Sequence, residues 1–256
     1  MIIALLTDFG TQDYFVGAMK GVILSINEAV TIIDITHEIE PQNIKSGSFI
    51  LASVYQNFPL QTIFVSVVDP GVGSNRRAIL VETDKYFFIA PDNGLLSFIF
   101  QNEQNFSVFE LTNQDYFLSN VSQTFHGRDV FAPTAAWLSK KIDPQELGKE
   151  VTDFVVFDNL KPKLIEEKLW EAEIIHVDRF GNLITNLKKE NRADNFSLEV
   201  NGTLIAKHLS FYAEAEIGEV FTIWGSADYL EIVAYQNSAC KLLKTKTGEK
   251  IRVKMS

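Results

Sequence analysis

Three short segments each place an aspartate beside glycine or proline: Thr7-Asp8-Phe9-Gly10, with Asp13 close behind; Asp69-Pro70-Gly71-Val72-Gly73; and Pro91-Asp92-Asn93-Gly94. Each follows an apolar run of strand character. In open α/β sheets ligands bind beyond the carboxyl ends of the strands, so the three loops are expected to share one rim. Singly, each has a local reading: Asp8 as a helix cap, Asp69-Pro-Gly as a turn, Asp92-Asn-Gly as another. Jointly they point to a site. Gly71-Val72-Gly73-Ser74-Asn75-Arg76 lacks both the third glycine of a dinucleotide fingerprint and the Gly-Lys-Ser/Thr of a P-loop. Its glycines allow a tight turn that folds Arg76 or Arg77 back toward Asp69, and an arginine can hold a carboxylate bidentately and keep it ionised. A fourth segment, Phe125-His126-Gly127-Arg128-Asp129-Val130-Phe131-Ala132-Pro133, sets an imidazole just ahead of a helix, with Arg128 and Asp129 able to form a local ion pair.

Other chemistries fit less well. Asp8, Asp13, Asp69, Asp92, His126 and Asp129 are metal-ligand types, but no His-x-x-x-His or Cys-x-x-Cys spacing accompanies them. No Gly-x-Ser-x-Gly elbow supports serine hydrolysis. His37, after a strand, reads as a loop residue; His176 and His208 read as structural or exposed. Cys240, the single cysteine, lies in an apolar stretch and reads as buried filler.

These residues need a scaffold. The chain has 256 residues, enough for one large domain or two modest ones, and 46% hydrophobic against 22% charged residues excludes disorder as the main state. With 14 Gly, 7 Pro and one Cys it is neither collagen-like nor a disulfide scaffold. A net charge of −10 without a Lys/Arg cluster argues against nucleic acid as a partner. The first residues carry no basic leader, their apolar run is short for a signal peptide, and no run approaches the roughly 18 apolar residues of a membrane span. A cytoplasmic protein without membrane contact is expected.

Up to about residue 150, apolar runs alternate with helical spacing, predicting α/β with a largely parallel sheet. Strands are expected at Ile2–Leu6, Thr31–Ile35, Thr62–Val68, Ala78–Glu82 and Tyr86–Ile89. Helices are expected at Tyr14–Ile26, Ile44–Phe58, Asn93–Phe100 and Ala132–Lys140. Residues 150–170 read as irregular. Short strands follow at Glu171–Val177, Leu183–Asn186, Ser197–Val200, Glu219–Ile223 and Tyr229–Val233, with a hairpin turn at Asn201-Gly202. The expected architecture is an N-terminal three-layer α/β domain, residues 1–160, plus a small C-terminal β-barrel-like domain, residues 166–256.

Five motifs in order carry a resemblance: Leu6-Thr-Asp-Phe-Gly-Thr-Gln-Asp13, Val68-Asp-Pro-Gly-Val-Gly-Ser-Asn-Arg76, Ala90-Pro-Asp-Asn-Gly-Leu-Leu96, the segment Phe125–Pro133, and Val177-Asp-Arg-Phe-Gly-Asn-Leu-Ile-Thr-Asn186. From residue 1 to about 245 the chain resembles the S-adenosyl-L-methionine hydroxide adenosyltransferases, relatives of the fluorinating and chlorinating enzymes that use the same substrate. The resemblance implies a homotrimer, with substrate between the N-terminal domain of one subunit and the C-terminal domain of its neighbour. It implies no metal and no separate cofactor. It assigns Asp69, Arg76 and His126 to the surroundings of an attacking water. The halogenases have Tyr in the slot of Asp69, and Tyr followed by Ser where this chain has His126-Gly127, so the chain sides with the water-using branch.

By the same resemblance Asp8 is the ribose-binding carboxylate, and Asp178 and Asn182 hold the amino-acid part. Phe211 or Tyr212 stacks near the adenine, the alternative for both being core packing. Ser226 belongs to a segment closing over the ligand, with Glu231 beside it as a further candidate. Tyr235-Gln236-Asn237 departs from the glycine-rich stretch of many relatives, and Gln42 replaces a Trp of the fluorinating enzyme. The implied reaction is hydrolysis to adenosine and L-methionine. The alternatives are a chlorinase, a non-catalytic protein binding S-adenosyl-L-methionine or adenosine, and a metal-dependent hydrolase using the aspartate rim.

Overall fold

Continuous apolar runs such as Ile2–Leu6 suit strands covered on both faces, and in the N-terminal part they assemble one sheet. The computed structural model describes residues 1–191 and 196–255. The chain divides into two compact units, Met1–Phe157 and Asp158–Ser256.

In the first unit the elements are β1 (Ile2–Thr7), α1 (Phe15–Ile26), β2 (Thr31–Thr36), α2 (Ile44–Val54), β3 (Ile63–Val67), β4 (Ala78–Thr83), β5 (Phe87–Pro91), α3 (Ser97–Asn102), β6 (Phe106–Leu111), α4 (Ala132–Leu138), α5 (Pro144–Leu147) and β7 (Gly148–Glu150). The sheet order is β2-β1-β3-β5-β4-β6-β7. β2, β1, β3 and β5 are mutually parallel, β4 is inserted antiparallel, and β6 runs antiparallel to β4 and so again with β5. The sheet is therefore largely parallel. Its two faces bury separate cores. One joins Leu5, Val65 and Ile89 to Met19, Ile23, Phe131 and Ala135 from the α1 and α4 side; the other joins Leu6, Phe64 and Phe88 to Leu51, Tyr55 and Leu95 from the α2 and α3 side.

Two helix expectations are corrected. α2 ends at Val54 rather than Phe58, and the chain continues as a 3₁₀ turn over Tyr55–Asn57. Phe58 precedes Pro59 and is extended, φ −89° and ψ 154°, as a pre-proline residue must be. The third helix begins at Ser97, not Asn93, because Asn93-Gly94 turns instead: Gly94 has φ +96°, and the Asn93 amide donates to Val68 O at 2.9 Å.

In the second unit follow β8 (Lys163–Glu166), β9 (Leu169–Val177), β10 (Leu183–Lys188), β11 (Phe196–Val200), β12 (Thr203–Ile205), β13 (Val220–Trp224), β14 (Tyr229–Ala234), α6 (Ala239–Leu243) and β15 (Lys250–Met255). Their order is β12-β11-β15-β9-β10-β14-β13, antiparallel throughout, with β8 paired to β9. Lys207 O and Leu209 N bond Thr222 on β13, which brings the two ends of the sheet together as a nearly closed barrel. Ile174, Leu183, Leu198, Leu230, Ile232 and Val253 fill its core. Asn201 and Gly202 both have positive φ, +47° and +77°, as a two-residue type I′ hairpin requires. Residues 150–170 are less irregular than expected: β8 is fully exposed along its length, so edge pairing rather than apolar burial makes it a strand.

Candidate active site

β3 delivers Asp69 from the centre of the sheet. The loop that follows is tight: Val72 N donates to Asp69 O at 3.3 Å, and Ser74 N and Oγ donate to Gly71 O at 3.1 and 2.7 Å. Gly73 sits at φ +78°, and a Cβ there would stand 2.2 Å from Gln123 O. A glycine is needed for both reasons. It lets this loop lie against the segment that leads into His126.

The loop returns Arg76, not Arg77, to Asp69. Arg76 Nε lies 3.0 Å from both carboxylate oxygens and Nη2 lies 2.5 Å from Oδ2. The same Nη2 is 2.8 Å from His126 Nδ1. The Asp69 side chain is 4% exposed and the Arg76 side chain 10%. The guanidinium also lies over Phe131, 5.3 Å from the ring centre, so its apolar face is covered. A guanidinium has no acceptor, so His126 Nδ1 accepts and the ring proton belongs on Nε2. Burial and then the Arg76 charge push the His126 pKa below its ordinary 6.5, while Asp69 and Asp129 pull the other way. A neutral imidazole with its proton on Nε2 is the result.

His126 stands at the start of a π-helical turn, Gly127–Phe131, which runs into α4. π-Turns of this kind are frequent at functional sites. Asp129 is fully buried and accepts from Ser122 N at 2.8 Å and from Arg128 Nε at 2.6 Å. Arg128 and Asp129 thus make the local ion pair, and their work is to hold the His126 turn. Gly127 packs closely: a Cβ there would lie 3.1 Å from Phe125 and 3.3 Å from Met19 and Phe9.

Asp8, at the end of β1, accepts from Gln42 N through Oδ2 at 2.8 Å. Burial raises its pKa, against the Gln42 amide and the residue's own amide, and the Asp69 charge adds to the rise. Asp69 and Asp8 therefore feel one another across the rim. The third loop serves the fold instead. Asp92 is buried under Arg77 Nε and Nη2, at 3.0 and 2.7 Å, and accepts from Val155 N at 2.8 Å. Asp13 is exposed. Among the described residues no three His, Cys, Asp or Glu side chains stand together as metal ligands do.

In the second unit Asp178 organises its own turn. Its Oδ1 accepts from Phe180 N and Asn182 N, both at 2.9 Å, and its Oδ2 from Asn182 Nδ2 at 2.8 Å. Gly181, at φ +86°, lets the turn sit against Ser238, where a Cβ would meet Oγ at 2.0 Å. Beside it is a largely apolar pocket of about 510 Å³, lined by Phe180, Asn182, Tyr212 and residues 234–237. Of the two expected aromatics, the pocket takes Tyr212 and leaves out Phe211, which is 55% exposed. Phe211 is extended and Tyr212 opens a 3₁₀ turn, so the neighbouring rings diverge, and Tyr212 packs edge-on against Phe221. Ser226 is exposed in the β13–β14 turn. Glu231 is half-buried and its carboxylate occupies the space over Gly225, where a Cβ would fall 1.8 Å from Oε1. Burial, with the Asp178 charge, pushes its pKa up to about 7. Burial and then the Glu231 and Asp178 carboxylates raise the Tyr212 phenol, which marks the three side chains as one electrostatic group.

Sequence reasoning passed over Phe131 and Phe180, whose types alone do not separate a site wall from core or surface. It also set His37 aside. That residue is 4% exposed and bonds Thr7 Oγ1 through Nδ1 at 2.8 Å.

The chain matches known proteins along nearly its whole length. The SAM hydroxide adenosyltransferase N-terminal domain matches residues 3–148 and the corresponding C-terminal domain matches residues 172–252. The chain belongs to the SAM hydroxide adenosyltransferase family. A relative from Methanocaldococcus jannaschii named (R)-S-adenosyl-L-methionine hydrolase is 35% identical, covering 98% of this chain and 95% of that one. A fluorinase from an Actinoplanes species is 27% identical over 73% of this chain and 72% of its own length. The crystal structure of a conserved protein from Thermotoga maritima superposes with a TM-score of 0.89 at 34% identity, covering 99% of both chains.

Proposed function

We propose that the chain hydrolyses S-adenosyl-L-methionine to adenosine and L-methionine, with Asp69, Arg76 and His126 as its catalytic residues. The observation that carries this reading is the Arg76 side chain, which bonds the Asp69 carboxylate and the His126 ring at once. In the reaction water oxygen attacks the ribose C5′, the C5′–S bond breaks, and the electron pair leaves with sulfur as neutral methionine. The sulfonium is already a good leaving group, so no acid is needed on that side. The demand falls on the nucleophile, which must be held in line at near-attack distance and lose a proton.

The tautomer of His126 divides the labour. Its Nδ1 is occupied by Arg76, so its Nε2–H donates to the water oxygen and orients it. Asp69 is the proton acceptor. Arg76 fixes the carboxylate bidentately and fixes the ring, so neither group of the trio can turn away from the water. Asp8 takes the ribose hydroxyls through the oxygen that Gln42 leaves free. Asp178 and Asn182 hold the amino-acid part, with Glu231 adding negative charge for the ammonium, and the pocket beside Tyr212 takes the adenine. The chemistry asks for no cofactor or metal. The homotrimer, with each substrate held by neighbouring subunits, is part of this proposal and is supported by the family resemblance; sedimentation equilibrium measures it.

The test is incubation of purified protein with S-adenosyl-L-methionine in chloride-free and chloride-rich buffer, with nucleosides identified by mass. Adenosine in both, abolished in Asp69→Ala and His126→Ala, is the expected result. A 5′-chloro nucleoside would move the chain to the halogenase reading, and binding without turnover would make it a sensor.

A further inference from the structure

One buried titratable group has no part in the mechanism above: His37, in the loop after β2. Its partners form a chain. The Phe9 amide donates to Thr7 Oγ1 at 3.2 Å, which leaves the Thr7 hydroxyl proton for His37 Nδ1 at 2.8 Å. The ring proton therefore sits on Nε2, which stands 3.1 Å from Asp34 Oδ1, off the N–H line. Asp34 Oδ2 pairs with Lys20 Nζ at 2.6 Å. Thr7 is fully buried, so its hydroxyl has no water to turn to, and giving its proton to His37 Nδ1 satisfies it.

This chain ends beside Asp8. The main-chain oxygen of His37 also accepts from Gly10 N at 2.7 Å. Both ends of the four-residue turn Thr7–Gly10 are thus tied to a single residue, by its ring at one end and its backbone at the other. The same loop supplies the Gln42 amide to Asp8 Oδ2. With the Gln42 amide on one oxygen and the residue's own amide as its other backbone contact, the aim of the Asp8 carboxylate depends on the turn that carries it. We propose that Thr7 and His37, backed by Asp34, are positioning residues for Asp8: they fix the turn that aims its carboxylate and thereby set the affinity for the ribose diol of the substrate. The proposal rests on the reading of Asp8 as the ribose-binding carboxylate.

The experiment compares Thr7→Val, Thr7→Ser, His37→Asn and Asp8→Asn in steady-state hydrolysis of S-adenosyl-L-methionine, with adenosine binding followed by calorimetry. Thr7→Val keeps the side-chain shape and removes the hydroxyl; it raises KM about tenfold and leaves kcat within about threefold, the pattern of lost uniform binding. Thr7→Ser restores KM to within about twofold, and His37→Asn, whose Oδ1 still accepts from Thr7, falls between the two. Asp8→Asn raises KM at least as much, and Thr7→Val adds little in the Asp8→Asn background, since both act through one carboxylate. Unchanged KM in Thr7→Val and His37→Asn beside a raised KM in Asp8→Asn overturns the positioning role and leaves the ribose reading intact. Unchanged KM in Asp8→Asn overturns the ribose reading, and this proposal with it. Should Thr7→Val fail to fold, parallel rises in KM and adenosine Kd in His37→Asn, at unchanged kcat, still support the proposal, and their absence overturns it.

Discussion

The two units hold their charged residues in opposite ways. In the first, Asp69 is nearly buried and is matched by a guanidinium that grips it at two points and reaches on to His126. In the second, Asp178 is matched by the amides of its own turn, and the half-buried Glu231 carries a pKa raised by burial and by Asp178 rather than lowered by a cation. A fixed opposite charge preorganises a group for chemistry and prevents it from adapting. Backbone amides and a carboxylate left without a counter-charge suit the recognition of a cation that arrives from outside. The proposed function assigns the first arrangement to reaction, the reacting end, and the second to holding the substrate, the holding end.

The largest expected effect tests the first arrangement. Arg76→Ala removes the link between carboxylate and imidazole and lowers kcat by about 10²–10³-fold. It also strands a nearly buried carboxylate, at a stability cost of about 3–5 kcal/mol, read by thermal denaturation. Arg76→Lys stays well short of rescue, because an ammonium cannot reproduce the fork. If Arg76→Lys retained full activity, the planar grip would be irrelevant.

Next comes the pH profile. His126 must be neutral for Nδ1 to accept from Arg76, and its pKa lies below 6.5. Protonation sets a cation against the guanidinium, so kcat stays level above that pH and falls as pH drops through the lowered pKa. Arg76→Met, with the repelling charge gone, moves this acid limb upward. An acid limb that Arg76→Met leaves in place would remove the link between the two side chains.

The holding end is expected to respond in KM. Asp178→Ala leaves three donors of the turn without their acceptor, costs about 1–3 kcal/mol, and raises KM more than it lowers kcat. The smallest effect belongs to Glu231. Its carboxyl passes from neutral to charged as pH rises through about 7, so its pull on a cationic substrate grows and KM falls over that interval. Glu231→Gln flattens the dependence, with a change in KM under about tenfold at high pH. A KM that still falls through neutrality in Glu231→Gln would assign the titration to another group.

Much of the fold was legible because its signals are local. β1 is apolar up to its last residue, Thr7, and β3 is broken only by Ser66; α1 shows helical spacing, and Asn201-Gly202 names its own turn type. β15 alternates buried and exposed residues without a break, yet Lys250-Ile-Arg-Val-Lys-Met was passed over, because its charged residues masked a period of two. β6 and β8 were missed for a related reason: an edge or antiparallel strand can be made by pairing with a neighbour far away in sequence. The same limit separated Asp69 from Asp92. Both follow strands and both adjoin glycine or proline, but Arg77 and Val155 N cover one, whereas Arg76 turns the other toward His126.

By itself the sequence determined the types of the reacting groups, the order of the motifs that carry them, and the change from alternating helices and strands to short strands beyond residue 150. Those follow from side-chain chemistry and from periods of two and 3.6 residues, which need no partner. The tertiary structure alone decided which arginine meets Asp69, which nitrogen of His126 holds the proton, which aromatic enters the pocket, and that His37 is buried against Thr7. Each of these depends on a contact between residues distant along the chain, and a chain of letters carries no distance until the sheet has closed.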